Sequence, residues 1–194
     1  MVKILAFAGS TRKESINGKL IKIAADIAAE KGAEVRLIDL AEYEMPLFNA
    51  DLENELGIPE STSRLKKIFI EHQGLLIASP EYNSSITPLM KNTLDWLSRR
   101  ETEEEPPMAA YKGKVAAIMS ASPGRLGGLR GLVILRMLLS NLGVLVLPEQ
   151  QAVPGADNAF SEDGRLTDDN MQNSITGLVA KLINTVDHLS NNQT

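Results

Sequence analysis

Three short polar stretches hold most of the side chains in this sequence that could bind a ligand. Loop 1, residues 9–17, reads GSTRKESIN and offers hydroxyls, one guanidinium and one amide. It separates an apolar run at 2–8 from an amphipathic stretch at 18–30, as in a strand, a loop and a helix. Because the first turn of a helix leaves N–H groups unpaired at its positive end, loop 1 predicts a phosphate site. The same residues are also explained without a ligand if Ser15 or Asn17 only caps the helix.

Loop 1 lacks the two familiar glycine-rich phosphate motifs. Lys19 is followed by Leu20, where a P-loop has serine or threonine. The residue two positions after Gly9 is a threonine, where the dinucleotide-binding fingerprint has a second glycine. A tightly wrapped pyrophosphate or triphosphate is therefore not expected. A terminal monophosphate held by hydroxyls and Arg12 fits the loop better.

The other two stretches suit a flat heterocycle. Loop 2, residues 79–85, reads SPEYNSS and follows the apolar run 75–78, so it forms a proline-stiffened turn with one aromatic ring. Loop 3, residues 120–128, reads SASPGRLGG and follows the apolar run 115–119. Its small residues let a ring system approach the backbone closely. A phosphate at one end and a planar ring at the other describe a mononucleotide, and FMN fits because it has a single terminal phosphate.

The hydrophobic periodicity of the sequence alternates between strand and helix patterns, and this places the three loops within one fold. The strands are predicted at 2–8, 33–40, 75–78, 115–119 and 144–147, and the helices at 17–31, 61–72, 87–99, 129–141 and from about 167. Residues 41–59, the acidic segment 100–114 and a segment that begins at Pro148 are predicted as loops. The pattern predicts an α/β, flavodoxin-like three-layer sandwich, with a five-stranded parallel sheet of order 2-1-3-4-5, as a single domain over residues 1–194. In such sheets ligands bind at the carboxyl ends of the strands, where all three loops would lie.

Composition excludes several kinds of site. The net charge of −5 argues against a nucleic-acid partner, and the absence of cysteine excludes disulfides and thiolate chemistry. Two histidines, His72 and His188, lie far apart in the sequence, so no metal site and no histidine-based triad are expected. We interpret His72 as a structural residue near a helix end. With no signal peptide and no apolar run of about 18 residues, the chain is expected to be soluble, cytoplasmic and free of membrane contact.

Four blocks of sequence carry a resemblance to a known family. They are Gly9-Ser10-Thr11-Arg12 with Ser15 and Asn17, then Ser79-Pro80-Glu81-Tyr82-Asn83, then Leu89-x-Lys91-Asn92-x-Leu94-Asp95-Trp96, and finally Ser122-Pro123-Gly124 with Gly127-Gly128-Leu129-Arg130. Together they resemble the NAD(P)H-dependent FMN reductases, a group that includes quinone, azo-dye and chromate reductases. The resemblance extends to about Pro154, and the block in loop 2 with its following helix is the specific part.

The resemblance implies a role for each loop. The residues implied to bind the FMN phosphate are Ser10, Arg12, Ser15 and Asn17. Those implied to flank the isoalloxazine are Pro80, Glu81, Tyr82 and Asn83, with Ser120 and Gly124 closing the other side. The family also implies a homodimer or homotetramer with sites near the subunit interfaces. Arg130 and Glu149 are one hypothetical pair across such an interface.

Two residues leave alternatives open. Arg125 stands where relatives often have a small residue, so it either binds a phosphate of NADPH or an anionic acceptor, or it crowds the site or points to solvent. The phenol of Tyr82 either orients the substrate or simply packs its ring against the flavin.

The implied reaction is a ping-pong exchange. A hydride passes from NADPH or NADH to flavin N5, and two electrons then pass to a quinone, azo, nitro, metal-oxyanion or flavin acceptor. Because the cofactor carries the hydride, no catalytic side chain is expected. The alternative is a flavodoxin-type FMN electron carrier without its own NAD(P)H site, although flavodoxins typically lack the loop 1 arginine and are more acidic. A receiver-type signalling domain would need acidic residues at the end of the first strand, where residues 6–9 read AFAG.

Overall fold

The structure is a computed structural model that describes residues 1–161 and 163–191. Its strands are β1 Lys3–Ala8, β2 Glu34–Ile38, β3 Gly74–Ala78, β4 Val115–Ala121 and β5 Leu145–Val153. Its α-helices are α1 Ile16–Glu30, α2 Ala50–Leu56, α3 Glu60–Glu71, α4 Pro88–Leu97, α5 Leu129–Asn141 and α6 Asp169–Asn191, with a 3₁₀ turn at Leu40–Glu42.

The five strands form one parallel sheet in the order β2-β1-β3-β4-β5, which confirms the predicted fold. Helices α1 and α6 pack on one face, and α3, α4 and α5 pack on the other. Every residue of β3 and β4 is buried because helices cover both faces of the sheet. This burial explains why the central strands are continuous apolar runs in the sequence.

Two hydroxyl caps fix where the helices beside the loops begin. The Ser15 hydroxyl accepts a hydrogen bond from the Gly18 N–H at 3.1 Å and starts α1. The Thr87 hydroxyl accepts one from the Met90 N–H at 3.1 Å and starts α4, with proline at the first helical position. The Thr87 hydroxyl also donates to the Gly9 carbonyl at 2.8 Å, so this cap fastens loop 1 to α4.

The fifth strand is longer than the sequence predicts. The sequence predicts a strand at 144–147 and a loop from Pro148. This prediction is wrong, because β5 continues to Val153. Strand β5 lies at the edge of the sheet, and its register against β4 shifts near Pro148. Proline has no backbone N–H to donate to a neighbouring strand, and it is tolerated at such an edge bulge. The guanidinium of Arg136 donates to the carbonyls of Leu147 at 2.6 Å and Pro148 at 3.2 Å, which stabilises the bulged backbone.

Residues 41–59 are more ordered than the predicted loop. They contain the 3₁₀ turn and the short helix α2, which starts where the Asn49 side chain accepts a hydrogen bond from the Asp51 N–H at 2.8 Å. Helix α2 buries none of its residues. It therefore has no apolar periodicity from which a sequence pattern could reveal it.

The acidic segment is attached to the rest of the fold at Glu105. Residues 101–104 are exposed, but the carboxylate of Glu105 accepts a hydrogen bond at 3.0 Å from the ammonium of Lys66, a residue only 2% exposed. Lys66 also donates to the Arg99 carbonyl. The carboxylate of Glu105 is therefore held by the folded chain, within a segment that the sequence predicts only as a loop.

His72 is part of the core. It is buried at the end of α3, with its Nδ1 2.7 Å from the Ile68 carbonyl. Its own carbonyl accepts a hydrogen bond at 2.5 Å from the buried ammonium of Lys114. These contacts suit the structural role that the sequence suggested.

Candidate functional site

The three loops meet at the carboxyl ends of β1, β3 and β4, around a cavity of about 180 Å³. The lining residues that the sequence predicted are Ser10, Arg12, Ser15, Asn17, Pro80, Glu81 and Tyr82. Ile16, Ala121, Ser122 and Pro123 also line it. Asn83, Ser120, Gly124 and Arg125 belong to the same loops but do not line this cavity.

The amino end of α1 supplies donors to the cavity. Ser15 is buried, and its hydroxyl caps the helix as described. The backbone N–H groups of Ile16 and Asn17 find no acceptor among the residues that the structure describes. The Arg12 guanidinium is exposed beside them and donates to the Glu14 carbonyl at 3.0 Å. Unpaired N–H groups, the positive helix end and a guanidinium together suit an anion.

The side chain of Asn17 is hydrogen-bonded to the end of β4. Its Nδ2 donates to the Ala121 carbonyl at 2.9 Å, and its Oδ1 accepts from the Ala121 N–H at 3.0 Å. Asn17 is only 3% exposed, so the pair is shielded from water. The carboxamide thus joins the start of α1 to the end of β4, a contact that sequence reasoning missed because its partners are 104 residues apart.

Loop 2 closes on itself through Tyr82 and Ser85. Their backbones exchange two hydrogen bonds of 2.9 and 3.0 Å, so Asn83 and Ser84 form a two-residue turn. Both turn residues have positive φ, at 52° and 67°, although neither is glycine. Such conformations cost about 1 kcal/mol or more for each non-glycine residue. The Tyr82 ring is 53% exposed and lines the cavity.

The carboxylate of Glu81 is bound to the start of α5. It accepts hydrogen bonds from the N–H groups of Arg130 at 3.0 Å and Gly131 at 3.1 Å, and from the Arg130 Nε at 2.8 Å. Its side chain is 8% exposed. Burial alone would raise the pKa of Glu81, but the hydrogen bonds and charge of Arg130, with the Gly131 N–H, bring the net pKa below its ordinary value.

The remaining predicted residues of loop 3 divide into a buried and an exposed group. Ser120 is fully buried in β4, and its hydroxyl has no hydrogen-bond partner in the described part of the chain. Gly128, with φ +87°, packs so closely on Ser120 that a Cβ there would lie 1.9 Å from that hydroxyl oxygen. Gly124 and Arg125 are exposed next to Pro123, and Arg125 forms no ion pair within residues 1–161 and 163–191.

Arg130 and Glu149, the hypothetical pair across a subunit interface, each have a partner within the chain. Arg130 binds Glu81, and Glu149 binds Lys181 of α6. Both charged groups are therefore already paired within the chain.

Comparison with known proteins identifies the family. Residues 2–158 match the family model described as NADPH-dependent FMN reductase. The chain belongs to this family. It is 36% identical over 169 residues to an NAD(P)H-dependent FMN reductase of Pseudomonas aeruginosa, covering 87% of this chain and 86% of the relative. It is 30% identical to a quinone reductase of Escherichia coli K12, covering 91% of this chain and 90% of the relative.

Solved structures show the same fold. A flavoenzyme NAD(P)H:(acceptor) oxidoreductase from Paracoccus denitrificans superposes with a TM-score of 0.81 at 28% identity, over 97% of this chain and 98% of the other. Members of the family are oxidoreductases that use FMN and NAD(P)H, which are the cofactor and donor of this chain. The chemistry of the lining suits FMN, since unpaired N–H groups and Arg12 lie at one end of the cavity and the loops after β3 and β4 form the other.

Among the described residues, no three histidine, aspartate or glutamate side chains are grouped so that they could hold a metal ion. Within the same ranges, no helix is long and apolar enough to cross a membrane.

Proposed function

We propose that this chain is a cytoplasmic FMN-dependent NAD(P)H oxidoreductase that passes electrons to a small acceptor by a ping-pong mechanism, with all of residues 1–194 in one FMN-binding domain. The observation that carries the proposal is the cavity built from loops 1, 2 and 3, with its anion-binding end at α1. The relative named quinone reductase supports a quinone as the first acceptor to test. Azo, nitro, metal-oxyanion and free flavin acceptors are the further candidates.

The phosphate end is assigned to loop 1 and the start of α1. Ser10, Arg12 and Ser15 line this end of the cavity, and Asn17 contributes its unpaired backbone N–H. A guanidinium and several N–H donors stabilise a doubly charged phosphate through charge-assisted hydrogen bonds. The carboxamide of Asn17 keeps this end in register with β4.

The ring end is assigned to loops 2 and 3. Bound there, FMN would supply the hydride and two-electron chemistry between NAD(P)H and the acceptor. Pro80 and Tyr82 are assigned to one wall for the ring, and Ser122 and Pro123 lie on the loop 3 side of the same cavity. Asn83 and Gly124, which do not line the cavity, are assigned to the flanks of these two walls. Buried Ser120 supports the loop 3 side from behind, through its contact with Gly128.

Tyr82 and Arg125 are proposed to contact the substrates. Tyr82 contributes its half-exposed ring as packing surface, and Y82F should therefore keep kcat/KM within about threefold while Y82A loses more than tenfold. A large loss in Y82F would instead assign the phenol to substrate orientation. Arg125 is exposed and unpaired within the described ranges, so it is available for a phosphate of NADPH or an anionic acceptor.

The outer face of α5 is proposed as the contact of a homodimer or homotetramer. Leu129, Val133 and Met137 are 40%, 57% and 56% exposed and recur every four residues, and Leu126 before them is 50% exposed. This spacing places the three helical side chains on one stripe, and an exposed apolar stripe is typical of a protein interface.

Steady-state kinetics with a quinone tests the proposed reaction. Apo protein is first titrated with FMN by fluorescence, and initial rates are then measured while donor and quinone are varied together. Parallel double-reciprocal lines are expected, because the donor product leaves before the acceptor enters. FMN binding with no NAD(P)H oxidation would favour the electron carrier, and intersecting lines would contradict the ping-pong order.

A further inference from the structure

Helix α5 has no N-terminal cap of its own. Gly128 stands at the cap position and has no side chain to accept the first N–H groups. The Glu81 carboxylate, 49 residues away from Arg130 in sequence, accepts the second and third N–H groups of the helix instead. These are the positions that a serine or aspartate cap normally satisfies. Glu81 therefore caps a helix to which it does not belong.

Both carboxylate oxygens of Glu81 are engaged by α5. One accepts the two backbone N–H groups, and the other accepts the Arg130 Nε at 2.8 Å and lies 2.5 Å from the second guanidinium nitrogen. A buried carboxylate with four donors is a strongly held group. Its oxygens are thus committed to α5, although the residue itself borders the cavity.

The first turn of α5 also touches the rest of loop 2. A Cβ on Gly131 would lie 3.2 Å from the Glu81 Cβ and 3.3 Å from the Ser85 carbonyl oxygen. The glycine thus lets the helix pack directly on both ends of the turn. Between these ends lie Asn83 and Ser84, the two non-glycine residues with positive φ. A strained turn of this kind persists only when neighbouring structure holds it.

We propose that Glu81 is a positioning residue for the flavin site: it binds the start of α5 and so holds loop 2 in the shape that receives the isoalloxazine. The proposal rests on the proposed function, because it needs FMN to occupy the cavity. It differs from the role implied by the family resemblance, in which Glu81 flanks the ring itself. Arg130 completes the contact, and Gly131 permits it.

Glu81→Gln tests the proposal because the amide has nearly the same shape but replaces one acceptor oxygen with a donor. The side-chain NH₂ of the glutamine then faces either the N–H groups of the helix or the guanidinium of Arg130. The hydrogen bonds on that side are lost, because a donor faces a donor. Glu105→Gln is the matched control, since Glu105 also holds a cation, Lys66, but does not line the cavity. Arg130→Met removes the ion pair and leaves the two backbone hydrogen bonds in place.

Three measurements are made on each apo protein: the FMN Kd by fluorescence titration, thermal unfolding, and amide hydrogen exchange of residues 81–85. E81Q should raise the Kd about tenfold or more and speed exchange in this segment, since charge-assisted hydrogen bonds are lost. R130M should raise the FMN Kd about threefold. E105Q should lower the unfolding temperature yet keep the Kd within about twofold.

An E81Q protein that unfolds at a lower temperature but binds FMN with unchanged Kd, and with unchanged amide exchange at residues 81–85, would overturn the proposal. If E81Q does not fold, R130M decides, and a Kd equal to that of the wild type would then overturn it. Failure of the wild-type protein itself to bind FMN would contradict the proposed function instead. The wild-type titration therefore separates the two claims.

Discussion

The side-chain amide of Asn17 and the backbone of Ala121 form a closed pair of hydrogen bonds, 2.9 and 3.0 Å long, between the start of α1 and the end of β4. Both hydrogen bonds are shielded from water, because Asn17 and Ala121 are each only 3% exposed. This contact joins the proposed phosphate end of the cavity to its proposed ring end.

Asn17→Ala should therefore weaken both the fold and FMN binding. It leaves a buried N–H and carbonyl of Ala121 unpaired, which costs about 1–3 kcal/mol in the free energy of unfolding. Urea titration measures this loss, and FMN titration should show a Kd raised about tenfold. Asn92→Ala is the control, since Asn92 makes the same kind of double contact, with Pro46 and Phe48, outside the cavity. An N17A protein that binds FMN like N92A would contradict the coupling.

Arg12→Gln should weaken FMN binding through the phosphate alone. Losing a guanidinium from a phosphate site is expected to raise the FMN Kd about tenfold or more, and the effect should shrink at high salt. Riboflavin, which has no phosphate, should bind R12Q and wild type equally. Lys13→Gln is matched in charge and exposure but does not line this cavity, so it should change the FMN Kd less than about twofold. Equal losses for FMN and riboflavin would rule out a phosphate contact.

Lys114 should make stability depend on pH. Burial lowers the pKa of Lys114 from its ordinary value of 10.5 to about 8. Between these values the unfolded chain binds a proton at this site that the folded chain has released, so stability rises with pH by up to about 1.4 kcal/mol per unit. Below pH 8 both states hold the proton, and this contribution is flat.

Urea unfolding of wild type and Lys114→Met at several pH values across this window isolates the effect. The stability of wild type relative to K114M should increase with pH. Lys112→Met, at an exposed lysine two residues away, should show no such trend. A constant difference between wild type and K114M would contradict the lowered pKa.

Val133→Arg should dissociate the proposed oligomer. Val133 lies at the centre of the exposed stripe on α5, where a buried guanidinium without a partner is costly. Light scattering coupled to size exclusion should give a smaller mass than for wild type. Leu56→Arg, at another exposed apolar residue on α2, should leave the mass unchanged. A V133R protein with the wild-type mass would place the interface elsewhere.

The parts of the fold that the sequence revealed depend on local signals. The central strands are buried on both faces, so they read as apolar runs, and hydroxyl caps such as Ser15 and Thr87 mark where helices begin. Parallel strands then place their following loops at one edge, which is why residues of loops 1, 2 and 3 could be grouped before their contacts were known.

The parts that the sequence did not reveal depend on distant partners. Nothing near Pro148 indicates that Arg136 stabilises the backbone of β5. Likewise, nothing in loop 2 indicates that Glu81 caps α5, and the exposed helix α2 has no apolar stripe to detect. In each case the deciding contact joins residues that only the folded chain brings together.

Anaerobic mixing of the FMN-loaded protein with NADPH or NADH, without any acceptor, tests the proposed function most directly. The visible absorbance of the flavin should bleach within seconds with at least one nucleotide and return when a quinone is added. The faster nucleotide identifies the preferred donor. Flavin that stays oxidised with both nucleotides, yet bleaches with dithionite, would contradict an intrinsic NAD(P)H site and leave the chain as an electron carrier.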